Sequence, residues 1–167
     1  MSSSTASEPR RTAAVVTVSD SCARGDRKDL SGPAVAELLH KLHFEVMERE
    51  VVSDDLLPIQ NLLVQLASKV RLVVTTGGTG IAPRDVTPEA TTAICDRLVD
   101  GIAELMRREG SKKTPFAALS RGICGVRGRA LIVNLPGNPS GAVESLESVS
   151  GLIPHALDLL SGKTEHQ

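Results

Sequence analysis

The sequence predicts an α/β protein, a three-layer α/β/α arrangement around a mostly parallel central sheet. Three observations carry that reading. Short apolar runs alternate with helical patterns along almost the whole chain, the order that parallel strand–helix–strand units produce. The core has to be aliphatic, because the 167 residues include two Phe, no Trp and no Tyr. Branched aliphatic side chains suit strands buried on both faces. Finally, three strand ends run into the same kind of segment, in which polar residues, glycine and proline open a helix.

The elements follow in order. "AAVVTV" (13–18) reads as a first buried strand. "SGPAVAELLHKL" (31–42) reads as a helix with Pro33 in its first turn, where a missing N–H costs little. "FEVMEREVV" (44–52) alternates Phe44, Val46 and Glu48 and predicts a second strand. Residues 54–69 place Leu62, Leu63 and Leu66 on one helical face, with Pro58 in the first turn. "RLVVTT" (71–76) is a third strand, and 87–98 a helix with Thr87 as N-cap, Pro88 at the first helical position and Glu89 in the first turn. A helix over 101–110 is expected to stop at Gly110. "RALIVNL" (129–135) is a strand, 138–149 a helix capped by Asn138, and 151–162 a final helix.

Residues 1–11 read as a disordered polar tail, 12–162 as a single domain and 163–167 as a frayed C-terminus. Hydrophobic residues at 41% and charged residues at 23% are ordinary for a globular chain. A formal net charge of −1 makes no electrostatic case for nucleic acid or a membrane surface as partner. Cys22, Cys95 and Cys124 are far apart, odd in number and without a C-x-x-C pair, the pattern of free thiols in a reducing cytoplasm. No apolar run approaches the length of about 20 residues that spans a bilayer, and no signal peptide is expected.

In an open α/β sheet, ligands bind outside the carboxyl ends of the strands. Three loops should therefore converge there: "TVSDSCARGDRKDLSGP" (17–33), "TTGGTGIAPRDVTPE" (75–89) and "NLPGNPSG" (134–141). Gly77, Gly78 and Gly80 let backbone approach a ligand closely. The run is neither a P-loop nor a dinucleotide fingerprint. Arg84 beside Asp85 offers a phosphate contact and a Mg²⁺-directed carboxylate; a surface Asp outside a helix is the plainer reading. Asp20 points into the crevice or closes its own turn. Asp54 or Asp55 caps the following helix or serves the crevice. Ser31 caps a helix or meets a phosphate at its N-terminus. The segment 114–129, with Ser120, Arg121, Arg127 and Arg129, suits an anionic ligand or forms a solvated basic loop. His40 and His43 read as surface or dipole-compensating residues. These features describe a phosphate or nucleotide site that uses Mg²⁺.

"TVSD", "D-x-SGP" (29–33), "TTGGTG…PRDVTPEAT", "LSR" (119–121) and "NLPGNP" (134–139) occur in the order and spacing of the molybdopterin adenylyltransferases. The chain resembles that MoaB/Mog family of molybdenum-cofactor biosynthesis over residues 12–160 or so. The resemblance implies transfer of AMP from Mg-ATP to the terminal phosphate of molybdopterin, releasing pyrophosphate. It implies Asp85 and Asp54 as catalytic, Mg²⁺-organising carboxylates. Asp55 stays open, because "SDD" stands where relatives have Pro-Asp-Glu or similar. Asp20, Gly77, Gly78, Thr79, Gly80 and Arg84 are implied on the nucleotide side. Ser31, Ser120, Arg121, Asn134, Pro136, Gly137 and Asn138 are implied for the pterin and its phosphate. The expected partners are ATP, molybdopterin and a separate molybdate-inserting protein, and the expected assembly is a homotrimer or hexamer in the cytoplasm. A second class of function is a non-catalytic molybdopterin-binding or scaffold protein of the same fold.

Overall fold

The computed structural model describes residues 11–163. The tail expected over 1–11 and the end expected to fray over 163–167 lie outside those residues, Arg11 and Lys163 apart. In chain order the elements are β1 (Thr12–Val18), α1 (Asp20–Ala23), α2 (Ser31–Lys41), β2 (Glu45–Val52), α3 (Leu56–Ala67), β3 (Leu72–Thr76), α4 (Thr87–Ile94), β4 (Arg97–Leu98) and α5 (Asp100–Ser111). A 3₁₀ turn (Pro115–Leu119), β5 (Cys124–Arg127), β6 (Ala130–Leu135), α6 (Pro139–Val149) and α7 (Ile153–Leu160) follow.

The six strands form one sheet in the order β2-β1-β3-β6-β5-β4. β2, β1, β3 and β6 are mutually parallel. β5 runs antiparallel to β6, and β4 antiparallel to β5. Strand side chains alternate between faces, and the two faces feed two cores. Ala13, Val15, Leu72, Val74, Leu131 and Val133 meet residues of α2, α5, α6 and α7. Ala14, Val16, Val73 and Ile132 meet Ile59, Leu63 and Leu66 of α3 and Ala90 of α4. The sheet is therefore the middle of three layers, as expected.

Local chemistry explains the departures. Helix ends fall within about two residues of the expected positions, the usual latitude of such boundaries: Ser31–Lys41 for 31–42, Leu56–Ala67 for 54–69, Asp100–Ser111 for 101–110 and Ile153–Leu160 for 151–162. The helix expected over 87–98 stops at Ile94, because Asp96 and Val99 donate their N–H groups to Val126 O (2.7 Å) and Cys124 O (2.8 Å). Strand pairing with β5 there replaces the last helical turn. Thr87 is the first helical residue and not the N-cap, which is Val86. Its hydroxyl instead donates to Gly77 O at 2.9 Å. β5 was hidden in what reads as a basic loop. His43, the residue after the α2 C-cap Leu42, lies in the left-handed region, φ 67.

β1 lies between β2 and β3. The chain leaves β1 towards one edge and β3 towards the other, so the switch point lies at the carboxyl ends of β1 and β3. Leu146 of α6 is fully buried, whereas Leu159 of α7 is 43% exposed. Leu146→Ala should destabilise by about 2–5 kcal/mol, and Leu159→Ala by no more than about 0.5 kcal/mol, in urea unfolding at equilibrium.

Candidate active site

The site is assembled at that switch point. Past β1, the Asp20 N–H donates to Asp54 Oδ2 (2.9 Å), and the Asp54 N–H donates back to Asp20 Oδ1 (3.0 Å). Each carboxylate thus satisfies the other's backbone and locks the loops after β1 and β2 together. Asp29 is held in the same way: its carboxylate accepts from Thr17 Oγ1 (2.8 Å) and from the Gly32 N–H (3.0 Å). Ser31 is the first residue of α2 and is buried; Leu30 holds the cap position.

The loop after β3 depends on two glycines with positive φ, Gly77 at 104° and Gly78 at 67°. A Cβ on Gly77 would lie 2.3 Å from the Val18 carbonyl oxygen, and one on Gly78 would lie 2.3 Å from Thr87 Oγ1. Asp85 is folded over this loop: its Oδ2 accepts from the Ala82 N–H at 3.0 Å. The loop after β6 presses against it, since a Cβ on Gly137 would lie 3.3 Å from Gly77 Cα. Asn138 caps α6, its Oδ1 accepting from the Gly141 N–H at 3.0 Å.

Between the loops lies a cleft of roughly 410 Å³, bordered by Thr17, Ser19, Arg27, Lys28, Asp29, Ser31, Asp54, Gly77, Gly78, Asp85, Gly137 and Asn138. The sequence brings Asp54, Asp85, Ser31, Gly77, Gly78, Gly137 and Asn138 into it. Asp20 and Arg84 do not line it, but Asp20 is bonded to Asp54 and Arg84 to Asp20. Arg84 Nε and Nη2 donate to the two oxygens of Asp20 (3.0 and 2.8 Å), and Nη2 also reaches Asp55 Oδ1 (3.2 Å). Asp55 occupies the N-cap position of α3 without a capping bond.

Ser120, Asn134 and Pro136 line a smaller hollow next to Arg107, Gly122 and Ser145. Asn134 is buried and internally bonded, donating to Thr75 Oγ1 (3.0 Å) and Thr91 Oγ1 (3.1 Å) and accepting from the Ile123 N–H (3.2 Å). Thr79 is buried beneath its loop, and Gly80 O accepts from Arg121 Nε at 2.8 Å. Arg121 lines neither cavity. Thr17, Ser19, Arg27, Lys28 and Asp29 also border the cleft and were not among the site residues expected from sequence; Arg27 and Lys28 are the charged pair that could have been found. Their signal was a basic pair just ahead of a helix N-terminus.

The electrostatics separate the paired aspartates. The Arg84 hydrogen bond, aided by the Asp54 N–H, holds the Asp20 carboxyl below its ordinary value. Burial pushes Asp54 above its ordinary value, and the negative charges of Asp20 and Asp85 add to that against the Asp20 N–H bond. Burial pushes the thiols of Cys95 and Cys124 up to about 11 and about 12, so both are inert near neutrality.

Among the described residues, no three His, Cys, Asp or Glu side chains are grouped to cage a metal. Mg²⁺ needs less, since it takes one or two carboxylates together with substrate phosphates and water. Asp54 and Asp85 on one cleft fit that shared kind of site and not a dedicated cage.

A family profile described as "Probable molybdopterin binding domain" matches residues 14–155. The chain belongs to this molybdopterin-binding family. Its MoaB/Mog relatives confirm the placement. A protein of Helicobacter pylori named molybdopterin adenylyltransferase is 42% identical over 152 residues, covering 89% of this chain and 86% of that one. The Escherichia coli protein of the same name is 37% identical over 165 residues, covering 89% and 84%. The crystal structure of the molybdopterin biosynthesis enzyme MoaB from Thermus thermophilus superposes with a TM-score of 0.86 at 52% identity, covering 91% of this chain and 97% of that one. The tungsten cofactor synthesizing protein MoaB from Pyrococcus furiosus superposes at 0.82 and 30% identity, covering 95% and 100%. The three-layer family fold is thus shared nearly end to end. Among the described residues, no helix is long and apolar enough to cross a membrane.

The Asp54 shift sets a pH test. A carboxyl whose folded pKa is raised binds its proton more tightly in the folded state, so stability falls as pH rises from the unfolded value through the folded one. Asp54→Asn should therefore melt higher than the wild type at neutral pH, with the difference vanishing below the ordinary Asp pKa of 3.8. Thermal melts across the acid range check this. Arg84→Ala should raise the Asp20 pKa towards that same value, read by NMR titration of the carboxyl.

Proposed function

We propose that the protein adenylylates molybdopterin: it transfers AMP from ATP to the terminal phosphate of the pterin and releases pyrophosphate. The observation that carries the reading is Asp54 and Asp85 lining one switch-point cleft with the N-terminus of α2 and the basic pair Arg27 and Lys28. The names of relatives at 42% and 37% identity support it.

The chemistry asks little covalent work of the protein. The substrate phosphate oxygen attacks the α-phosphorus of ATP, a new P–O bond forms, the bond to the bridging α–β oxygen breaks, and pyrophosphate leaves with that electron pair. The attacking phosphate is already an anion, so no side chain has to remove a proton. Catalysis is then positioning and neutralisation of charge. Asp54 and Asp85 would hold Mg²⁺, which when bound offsets negative charge on the phosphates. Asp20, Arg84 and the glycine loop of Gly77, Gly78, Thr79 and Gly80 form the nucleotide side in this reading. Ser31, Gly137 and Asn138 meet the pterin phosphate, with Arg27 and Lys28 adding positive charge. Ser120, Asn134 and Pro136 shape the pterin end. The product passes to a separate molybdate-inserting protein, and the active form is a homotrimer or hexamer, which light scattering would measure.

The deciding assay incubates the purified protein with molybdopterin and Mg-ATP and looks for the adenylylated pterin by chromatography. Asp85→Asn should lower turnover by at least about 100-fold while molybdopterin affinity is retained. Normal turnover with weakened pterin binding would overturn that role. Ser120→Ala should weaken molybdopterin binding more than ATP binding, measured by titrating each substrate separately. Tight molybdopterin binding without any AMP transfer by the wild type would replace the enzyme with a pterin-binding protein.

A further inference from the structure

We propose that Arg121 is a positioning residue for Asp85: its guanidinium holds the loop 79–85 in shape and touches no substrate. The inference deepens the adenylyl-transfer reading and rests on it. Residues 77–86 contain no helix or strand, and the loop holds itself weakly. Asp85 N–H donates to Ala82 O (2.9 Å), and Ala82 N–H donates to Asp85 Oδ2 (3.0 Å), which is a single tight turn. Thr87 N–H to Gly78 O (3.1 Å) closes the base.

The Arg84 side chain reaches out from the loop to Asp20 and Asp55, and the Gly77 end is tied to Leu135 O and Thr87 Oγ1. Three further bonds, to Thr79, Gly80 and Asp85, come from one residue. The Arg121 N–H donates to Thr79 O at 2.7 Å. Its Nε donates to Gly80 O (2.8 Å), and its Nη2 to Asp85 O (2.7 Å). Nη1 is paired with the carboxylate of Glu89, in the first turn of α4. One side chain thus grips the start of the loop, its end and the helix that follows. Only a planar fork can address acceptors in several directions at once, which a lysine ammonium on a flexible stem does not reproduce.

Arg121 is itself anchored. Gly122 N–H donates to Ser120 Oγ (3.3 Å), and Gly122 O accepts from Arg107 Nη1 (2.8 Å). Ile123 and Asn134 exchange a further pair of bonds, Asn134 N–H to Ile123 O (2.9 Å) and Ile123 N–H to Asn134 Oδ1 (3.2 Å). The guanidinium donors are therefore directed at protein carbonyls and a carboxylate, and the residue lies outside both cavities. The segment beside Ser120, at the pterin end, sets the position of Asp85 at the nucleotide end.

Arg121→Ala, Arg121→Lys and Glu89→Gln test this in three readouts: AMP-transfer kinetics, molybdopterin affinity without ATP, and amide hydrogen exchange. A misplacement of about 1 Å costs on the order of 100-fold in rate. Arg121→Ala should lose about that in kcat with molybdopterin affinity unchanged. Exchange at residues 79–86 should accelerate while amides of β1 and β3 stay protected. Arg121→Lys should recover a small part of the rate, and Glu89→Gln should show a milder loss of the same kind. A fall in molybdopterin affinity with exchange at 79–86 unchanged overturns the proposal and makes Arg121 a substrate contact. If the wild type itself transfers no AMP, the functional reading fails. The exchange experiment still decides whether Arg121 holds the loop, and unchanged exchange overturns it there too.

Discussion

Three strand ends meet at Gly77, and the rest of the site depends on how closely they approach. Its φ of 104° and the 2.3 Å that would separate a Cβ from the Val18 carbonyl leave no room for a side chain. Its N–H donates to Leu135 O at 3.1 Å, tying the end of β3 to the end of β6. On its other side sits Gly137. Parallel strands leave a sheet in the same direction, so their exit loops crowd at one edge. Here the crowding is resolved by glycine, whose missing side chain lets the three exit loops pack against one another.

Charge is arranged by the same loops. Four aspartates, Asp20, Asp54, Asp55 and Asp85, are gathered near one cleft with Arg84 bonded to two of them. The reciprocal bonds between Asp20, the first residue of α1, and Asp54, in the loop after β2, fix both carboxylates relative to each other. Burying Asp54 beside other negative charges works against folding. In the proposed adenylyl-transfer reading, a bound metal would supply the missing neutralisation.

The two halves of the sheet divide the work. The parallel half, β2, β1, β3 and β6, sends its loops to the cleft. The antiparallel edge, β5 and β4, has a different effect. Pairing of β5 with β6 brings Ile123 beside Asn134, and with it the short stretch that carries Ser120 and Arg121 alongside Thr79 and Gly80. A segment that reads as a solvated basic loop becomes a brace for the glycine loop.

Local chemistry was legible wherever it decided the outcome. Continuous, mostly aliphatic runs specify β1, β3 and β6, because a strand buried on both faces tolerates little else. Pro139 after Asn138 specifies the start of α6, because cap and ring both suit a first turn. The glycines, Asp54 and Asp85 were readable as neighbours because each lies in a loop that leaves the carboxyl end of a strand, where the fold class itself predicts a ligand. Long-range pairing decided the remainder. β5 and the early end of α4 exist because Val126 and Cys124 present carbonyls to Asp96 and Val99, partners far away in sequence. Thr87 looks like a cap from its neighbours, yet its hydroxyl bonds back to Gly77. Arg121 looks like an anion contact, yet its donors face carbonyls brought to it by a strand that its own neighbourhood does not announce. Periodicity and turn chemistry are properties of adjacent residues. Where a guanidinium or carboxylate finds its partner is a property of the closed fold.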